Sequence, residues 1–455
     1  MMNSPHALLV FTNEAFLPEK TYVLDVLLKE TLGLTYILNA QKEIHHVTIQ
    51  LPNNKKVVIE DHFFTKLDEA TISANHYPLP GKITITASGF APEMDLVVIF
   101  GRQDIIPEEG QVTIGADLIA SSFFMLTRYE ELINNIKDQH NRFPATESVA
   151  YKHNFLLRPV VNEYAQLLIN VFHHLGFICP NHKEYRLHIT HDVDFTLEHR
   201  NFYKSLKVAL RRLKRTKSLP QFSKSLSEIL YAKVNKAKDP YNTFDFLMDY
   251  SEHVGLQSCF FFMAGGLSDK YDNQYQIKDN FTKKIISNIK ARGHRIGFHP
   301  SYCTYNKPGL FLKEKDMLEE VVNEKIFFGR QHYLRFDPSI TWAMWDSCAM
   351  EWDSTLAYAD QLGFRSGICS EFPVFDLKHR KKLKLREKPL TLMEKTLISK
   401  EYMGIDTLEE AVLFAKRLAD TVKKYKGDFV LLWHNQQLKT KEQRELYQSV
   451  LKSIL

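Results

Sequence analysis

Cysteine is scarce in this chain, with five among 455 residues, and Cys179, Cys259, Cys303, Cys348 and Cys369 form no Cys-x-x-Cys pair. An odd number without paired spacing argues against a disulfide framework and predicts a reducing compartment. Long apolar runs are missing as well. The runs at 95–100 and 429–433 have strand length, far below the roughly 20 residues of a membrane span. With only 18 Gly and 17 Pro the chain is neither collagen-like nor of low complexity. Its 44% hydrophobic and 25% charged residues are those of an ordinary globule able to bury a large core unaided. The opening MMNSPHALLVFTNEAF has no basic start, and its apolar stretch at 7–11 is followed by Glu14. No signal peptide is expected there, and the expected address is the cytoplasm, with peripheral contact at the inner membrane face as an extension.

No internal repeat stands out at periods of 20–50 residues. Residues 1–135 alternate β-rich runs (47–51, 56–59, 82–86) with helical stretches (21–32, 116–132), which predicts a small α/β or α+β accessory domain. Residues 136–184 read as a linker with a connecting helix that Pro159 opens and Gly176 stops. From 185 to 455 the pattern becomes strand, polar loop and helix in turn. Strands are predicted at 186–190, 258–263, 295–298, 332–336, 364–368 and 429–433. Helices are predicted after Asp279 and after Asp406, each ending at a glycine. Alternation of this kind argues for a parallel sheet, open or closed into a barrel.

The strand ends carry the chemistry. One runs into His191-Asp192-Val193-Asp194, another into His299-Pro300-Ser301, the last into His434-Asn435, and a fourth is flanked by Arg330 and His332. In a parallel α/β fold these ends share one face, so groups far apart in sequence converge. Asp192 and Asp194 point the same way from an extended segment, and their repulsion calls for a cation. One aspartate, His299 and another imidazole make a three-ligand divalent site with an open position. The other aspartate is then free to act as a base, and His434 as an acid.

These residues resemble the polysaccharide deacetylases of carbohydrate esterase family four over about 185–455. Thr190-His191-Asp192-Val193-Asp194 is similar to the family's first motif. Residues 293–299 resemble the approach to its second, and Leu432-Trp433-His434 its last. Residues 330–333 match its Arg-centred motif loosely, and Asp353-Ser354-Thr355 resembles a segment of several branches. The resemblance implies a distorted (β/α) barrel that removes acetyl groups from N- or O-acetylated glycans or glycolipids. It also implies a divalent metal, Zn or alternatively Co, Ni or Mn. It puts Asp192 in the base position, Asp194 and His299 on the metal, His434 as the acid and Arg330 beside the base. Ser301, Tyr302, Trp433 and Asp353 are the expected substrate contacts, with a backbone N–H near Ser301 or Tyr302 stabilising the oxyanion. Where the family has its second metal histidine this chain has Cys303. His332 is preferred as the replacement, Cys303 is the alternative ligand, and a degraded site that only binds glycan is the rival reading. Residues 120–131 and 142–144 resemble an uncharacterised N-terminal domain that precedes such barrels in bacteria. Arg128, Glu130 and Glu131 within it read as a helix surface.

Charge is uneven. Residues 200–238 hold twelve Lys/Arg and one acid, Glu228, against a net +5 for the whole chain, so the remainder is net acidic. This segment reads as a basic helical insertion. It is a solvated excursion or, alternatively, a contact for an anionic membrane; no motif points to nucleic acid. The tryptophans Trp342, Trp345, Trp352 and Trp433 serve equally as sugar-stacking platforms or as core.

Overall fold

The computed structural model describes residues 7–70, 72–74, 76–180, 183–266, 270–272 and 275–455. The expectation for the opening segment falls in part on residues 1–6, outside the described residues. The chain forms two compact units, each assembled from separated stretches. The first comprises 1–186, 334–391 and 418–429, the second 187–333, 392–417 and 430–455. The compact units therefore do not follow a linear division at 135 and 185, because residues 334–391 and 418–429 pack with the N-terminal part.

In the first unit a six-stranded sheet runs in the order Tyr36–Gln41, Leu8–Asn13, His46–Gln50, Lys56–Glu60, Gln111–Ala116, Gly101–Glu108. Its strands have one buried face: Val57 and Ile59 are fully buried between exposed or half-buried neighbours. The helix Leu118–Thr127 is buried all round, and Asp117 caps it by accepting from Ala120 N at 2.9 Å. Phe375, from the antiparallel pair Phe372–Asp376 and Lys381–Glu387, packs on Tyr22 and Phe123 at ring separations of 5.0 and 5.5 Å. Trp342 and Trp345 belong to this core, and Trp342 Nε1 donates to Glu387 at 3.1 Å.

The expected helix surface at 128–131 is instead a buried ion network. Arg128 donates to Glu130 and Glu131 at 3.0 Å each, and Arg365 donates to both oxygens of Glu131 at 2.9 and 2.6 Å. All four side chains are at most 3% exposed. The short-range spacing of these charges resembles a solvated turn, and the partner that internalises it, Arg365, lies 234 residues away. Burial alone would raise the Glu131 carboxyl, but the Arg365 and Arg128 guanidiniums pull it down to about 2.

In the second unit the strands lie in the order Phe328–Gly329, Arg295–Phe298, Ser258–Phe262, Arg186–Val193, Asp428–Leu432, Leu392–Met393. Parallel pairing joins the first four in succession and the last two to each other. The order does not return on itself, so no closed sheet, and hence no closed barrel, is seen among the described residues. Two strands expected to continue the ring are not strands. His332–Leu334 is a single 3₁₀ turn with Tyr333 and Leu334 at φ 61° and 55°, and residues 364–368 form turns around Gly363 and Gly367. The helix Asn280–Ala291 is capped by Asp279 as expected. The helix Leu408–Lys424 is capped by Thr407, which accepts from Glu410 N at 3.2 Å, one residue beyond the expected Asp406. The basic segment is a helical pair, Phe202–Thr216 and Leu219–Val234. No described helix is long and apolar enough to cross a membrane.

Candidate metal centre

The C-terminal ends of the parallel strands of the second unit place the site. Arg186–Val193 carries Asp192 on its last turn of pleat and Asp194 just beyond it. Its neighbour Arg295–Phe298 hands over to His299, whose N–H donates to Phe262 O at 2.9 Å. Next comes Phe328–Gly329, where a Cβ on Gly329 would lie 1.9 Å from Phe298 O; only glycine allows this approach, which brings Arg330 alongside. On the other side the parallel register pairs Met393 with Leu432, so that Glu394 runs beside His434.

At the centre, Asp194 Oδ1 lies 3.5 Å from His299 Nε2 and 3.4 Å from His332 Nε2. One ligand atom from each of the three residues lies within 4.8 Å of the others. The outer nitrogens fix the tautomers. His299 Nδ1 is 2.7 Å from Arg330 O, which only accepts, and His332 Nδ1 is 3.3 Å from an Asp272 carboxylate oxygen. Each imidazole thus donates through Nδ1 and turns Nε2 toward Asp194, where it offers a lone pair when the ring is neutral and a proton when it is charged. His299 Nε2 and Asp194 Oδ1 are buried without a hydrogen-bond partner. Three such groups converging in a buried place could hold a cation. For bonds of about 2.1 Å to a tetrahedral dication, ligand atoms stand about 3.4 Å apart, which is the spacing found on both edges from Asp194.

The aspartates have different surroundings. Asp192 accepts from Arg330 Nη1 at 2.8 Å, and the same Nη1 donates to Thr190 Oγ1 at 3.0 Å. Its other oxygen is 3.9 Å from His299 Nε2. Arg330 is fully buried and lies over the Phe261 ring, 5.1 Å from its centroid. Asp194 Oδ2 accepts from Gln436 Nε2 at 3.0 Å and stands 3.8 Å from His434 Nε2. Burial would raise the Asp194 carboxyl, but the imidazoles of His299, His332 and His434 hold it well below the ordinary carboxylate range. His434 Nδ1 is 2.6 Å from Glu394 Oε1. Burial disfavours its charged form, yet the Glu394 carboxylate overcomes this and lifts the imidazole to about 9. His332 is likewise raised, against burial, by Asp194 and Asp272. The arrangement can hold a dication on three residues, keep a carboxylate beside it and present a protonated imidazole on the far side of Asp194.

Of the residues singled out in the sequence, Asp192, Asp194, His299, Arg330, His332 and His434 are brought together. Cys303 is half-buried and stands outside the group of converging ligand atoms. The expected substrate contacts fare differently. Ser301 is fully buried, with its N–H and Oγ both donating to Glu314 at 2.9 and 2.6 Å, and Tyr302 N donates to Asp272 at 2.6 Å. Neither N–H is therefore open to an oxyanion. Trp433 is fully buried, its ring 5.2 Å from that of Tyr447, so it is core and not a sugar platform. Asp353 falls in the first unit, fully buried, accepting from Thr355 Oγ1 at 2.5 Å.

Sequence reasoning missed Asp272, Glu394, Gln436 and Glu314. Glu394 had a signal, an acid directly after the apolar Leu392-Met393, and Gln436 lies two residues past His434. Asp272 and Glu314 had none, since each sits in an ordinary polar or helical context.

Residues 8–176 match a family model described as a family of unknown function, DUF7033. No curated protein matches. Among solved structures, the chain is similar to a suspected polysaccharide deacetylase from Mycobacterium smegmatis. The identity is 14% and the TM-score 0.39, covering 60% of this chain and 85% of that one. It is also similar to a pseudoenzyme of carbohydrate esterase family four from Bacillus anthracis (11%, 0.30, 62% and 66%). A third is the chitin deacetylase of the fungal pathogen Colletotrichum lindemuthianum (11%, 0.29, 60% and 84%).

Proposed function

We propose that this chain is a metal-dependent hydrolase that removes an acetyl group from an N- or O-acetylated glycan. The observation that carries the reading is the convergence of two imidazole Nε2 atoms on Asp194 Oδ1 at 3.4–3.5 Å, with both Nδ1 atoms already engaged. The glycan as substrate comes from the resemblance of the motifs at 190–194, 293–299 and 432–434. Asp194, His299 and His332 would hold the cation, with Zn²⁺ favoured by the nitrogen-rich set of three. When bound, a divalent ion supplies Lewis acidity to a carbonyl and acidifies water.

The chain's own residues do the rest. Asp192, anchored by Arg330 through one oxygen, offers the other to accept a proton from the attacking water. His434 carries a proton on Nε2 at neutral pH because Glu394 stabilises its charge, and donates it to the departing nitrogen or oxygen. Gln436 donates to Asp194 Oδ2 and so leaves Oδ1 to face the imidazoles. A non-catalytic glycan-binding role has one observation in its favour: the Ser301 and Tyr302 N–H groups are both committed to carboxylates.

The test pairs two substitutions. Asp192→Asn should lower deacetylation of a small acetylated sugar by at least about a hundredfold while the purified chain keeps about one metal per molecule. Asp194→Asn should instead lose the metal. Loss of metal as the main effect of Asp192→Asn reverses the two roles, and a wild-type chain that retains no Zn, Co, Ni or Mn supports the non-catalytic role.

A further inference from the structure

We propose that the helical pair Phe202–Thr216 and Leu219–Val234 is a docking face for the surface of an anionic lipid bilayer. It makes no contribution to the chemistry described above, and the inference does not depend on it. The two helices turn their small and aliphatic residues toward each other and the rest of the unit: Ala209, Ile229 and Ala232 are buried. What remains outside is unusual in two respects together. Tyr203, Val208, Leu219, Tyr231 and Val234 are 81%, 62%, 70%, 67% and 89% exposed. Tyr231 and Val234 are spaced to share a helix face, as are Tyr203 and the partly exposed Leu210. Around them stand nine Lys/Arg between 202 and 234, all exposed. None of the nine forms an ion pair among the described residues, and Lys233 alone lies over an aromatic ring, that of Phe202. The single acid of the pair is Glu228, which is half-buried.

Single exposed apolar residues are ordinary on a solvated helix, but five on one helical pair amid nine cations exceed that. Nucleic acid would satisfy the cations but not the aliphatic residues. A second copy of this face would bring like charges together. A bilayer of anionic headgroups satisfies both: the lysine and arginine heads meet phosphates while tyrosine and aliphatic side chains enter the interface. The first helix, of 15 residues, is about 22 Å long and lies along such a surface without crossing it.

The experiment uses the full chain and sedimented vesicles of phosphatidylcholine, with and without 30 mol% (about one lipid in three) phosphatidylglycerol. The expected result is binding to the anionic vesicles alone, weakening as salt shortens the screening length. At about fivefold per basic residue, Arg211→Glu/Arg212→Glu/Lys214→Glu/Arg215→Glu should weaken it several hundredfold. Tyr203→Ser/Tyr231→Ser/Val234→Ser should weaken it while leaving the salt dependence in place. Circular dichroism melting checks that the variants fold, and the lipid and salt dependence of the unaltered chain decides the matter if they do not. Absence of binding, equal binding to neutral vesicles, or tighter binding to an oligonucleotide or acidic peptide at the same ionic strength overturns the proposal.

Discussion

Arg330→Met separates the two jobs that a buried guanidinium performs here. Arg330 is fully buried and Asp192 nearly so, with 2.8 Å between them and a second bond from the same nitrogen to Thr190. Methionine keeps the apolar stem that packs by Phe261 but strands the Asp192 carboxylate in a place closed to water. Removing one partner of such a pair costs about 3–5 kcal/mol, and retained packing puts the expected loss near the lower end, about 3 kcal/mol. Adding Asp192→Asn removes the stranded charge, so the double variant should be less destabilised than the sum of the singles, by about 2 kcal/mol. Urea denaturation followed by circular dichroism on the four chains of the cycle reads both numbers. A single-variant loss below about 1 kcal/mol, or strict additivity, would mean that Arg330 does not anchor Asp192 and that the orientation assigned to the base is wrong.

Three further outcomes follow from other contacts. Asp272→Ala frees His332 Nδ1 and should lower Zn²⁺ affinity by about 10–100-fold in competition titration with a chromogenic chelator, whereas Cys303→Ser should leave it unchanged. Glu131 sits near 2 in the folded chain against an ordinary 4.5, so its contribution is present in full above about pH 4.5 and is lost as pH falls toward 2. That contribution is about 3 kcal/mol; Glu130, pushed up by burial, acts in the opposite sense, so comparing acid melting curves of the native chain and Glu131→Gln isolates the part due to Glu131. Trp433→Phe should shift thermal stability while leaving KM for an acetylated sugar within about twofold, because a core side chain contributes no uniform substrate binding.

The site was legible where strand and chemistry coincide. His299 and His434 each close an apolar run, Asp192 and Asp194 stand at the end of another expected strand, and parallel strands bring such ends to one edge. His332 was legible as a residue but not as an element, since the predicted strand at 332–336 is a turn with two residues in the left-handed region. Strand propensity cannot anticipate that, because the conformation is imposed from outside the segment. The two-unit organisation was hidden for a related reason. Residues 334–391 and 418–429 have the same β- and α-forming composition as their neighbours, and only long-range contacts such as Arg365 to Glu131 and Phe375 to Tyr22 assign them. The oxyanion donors expected at 301–302 failed on hydrogen-bond accounting: Glu314 and Asp272, neither marked by any local signal, claim both N–H groups.

Charge balance gives an independent reason to expect a dication. The groups that supply or hold the converging atoms are the carboxylates of Asp192, Asp194, Asp272 and Glu394, the Arg330 guanidinium and the His434 imidazolium. With His299 and His332 neutral, as they are when both Nε2 atoms serve as ligands, four negative charges face two positive ones, and the remainder of two lies among side chains at most 18% exposed. A low-dielectric site does not sustain that imbalance. Protonating His332 offsets half of it, which is the direction in which Asp194 and Asp272 already push that ring. A single divalent cation offsets all of it while leaving both imidazole lone pairs in use. The same count explains the opposite partners of the two flanking groups: the Arg330 guanidinium faces Asp192, and the Glu394 carboxylate faces His434 and lifts its imidazole to about 9.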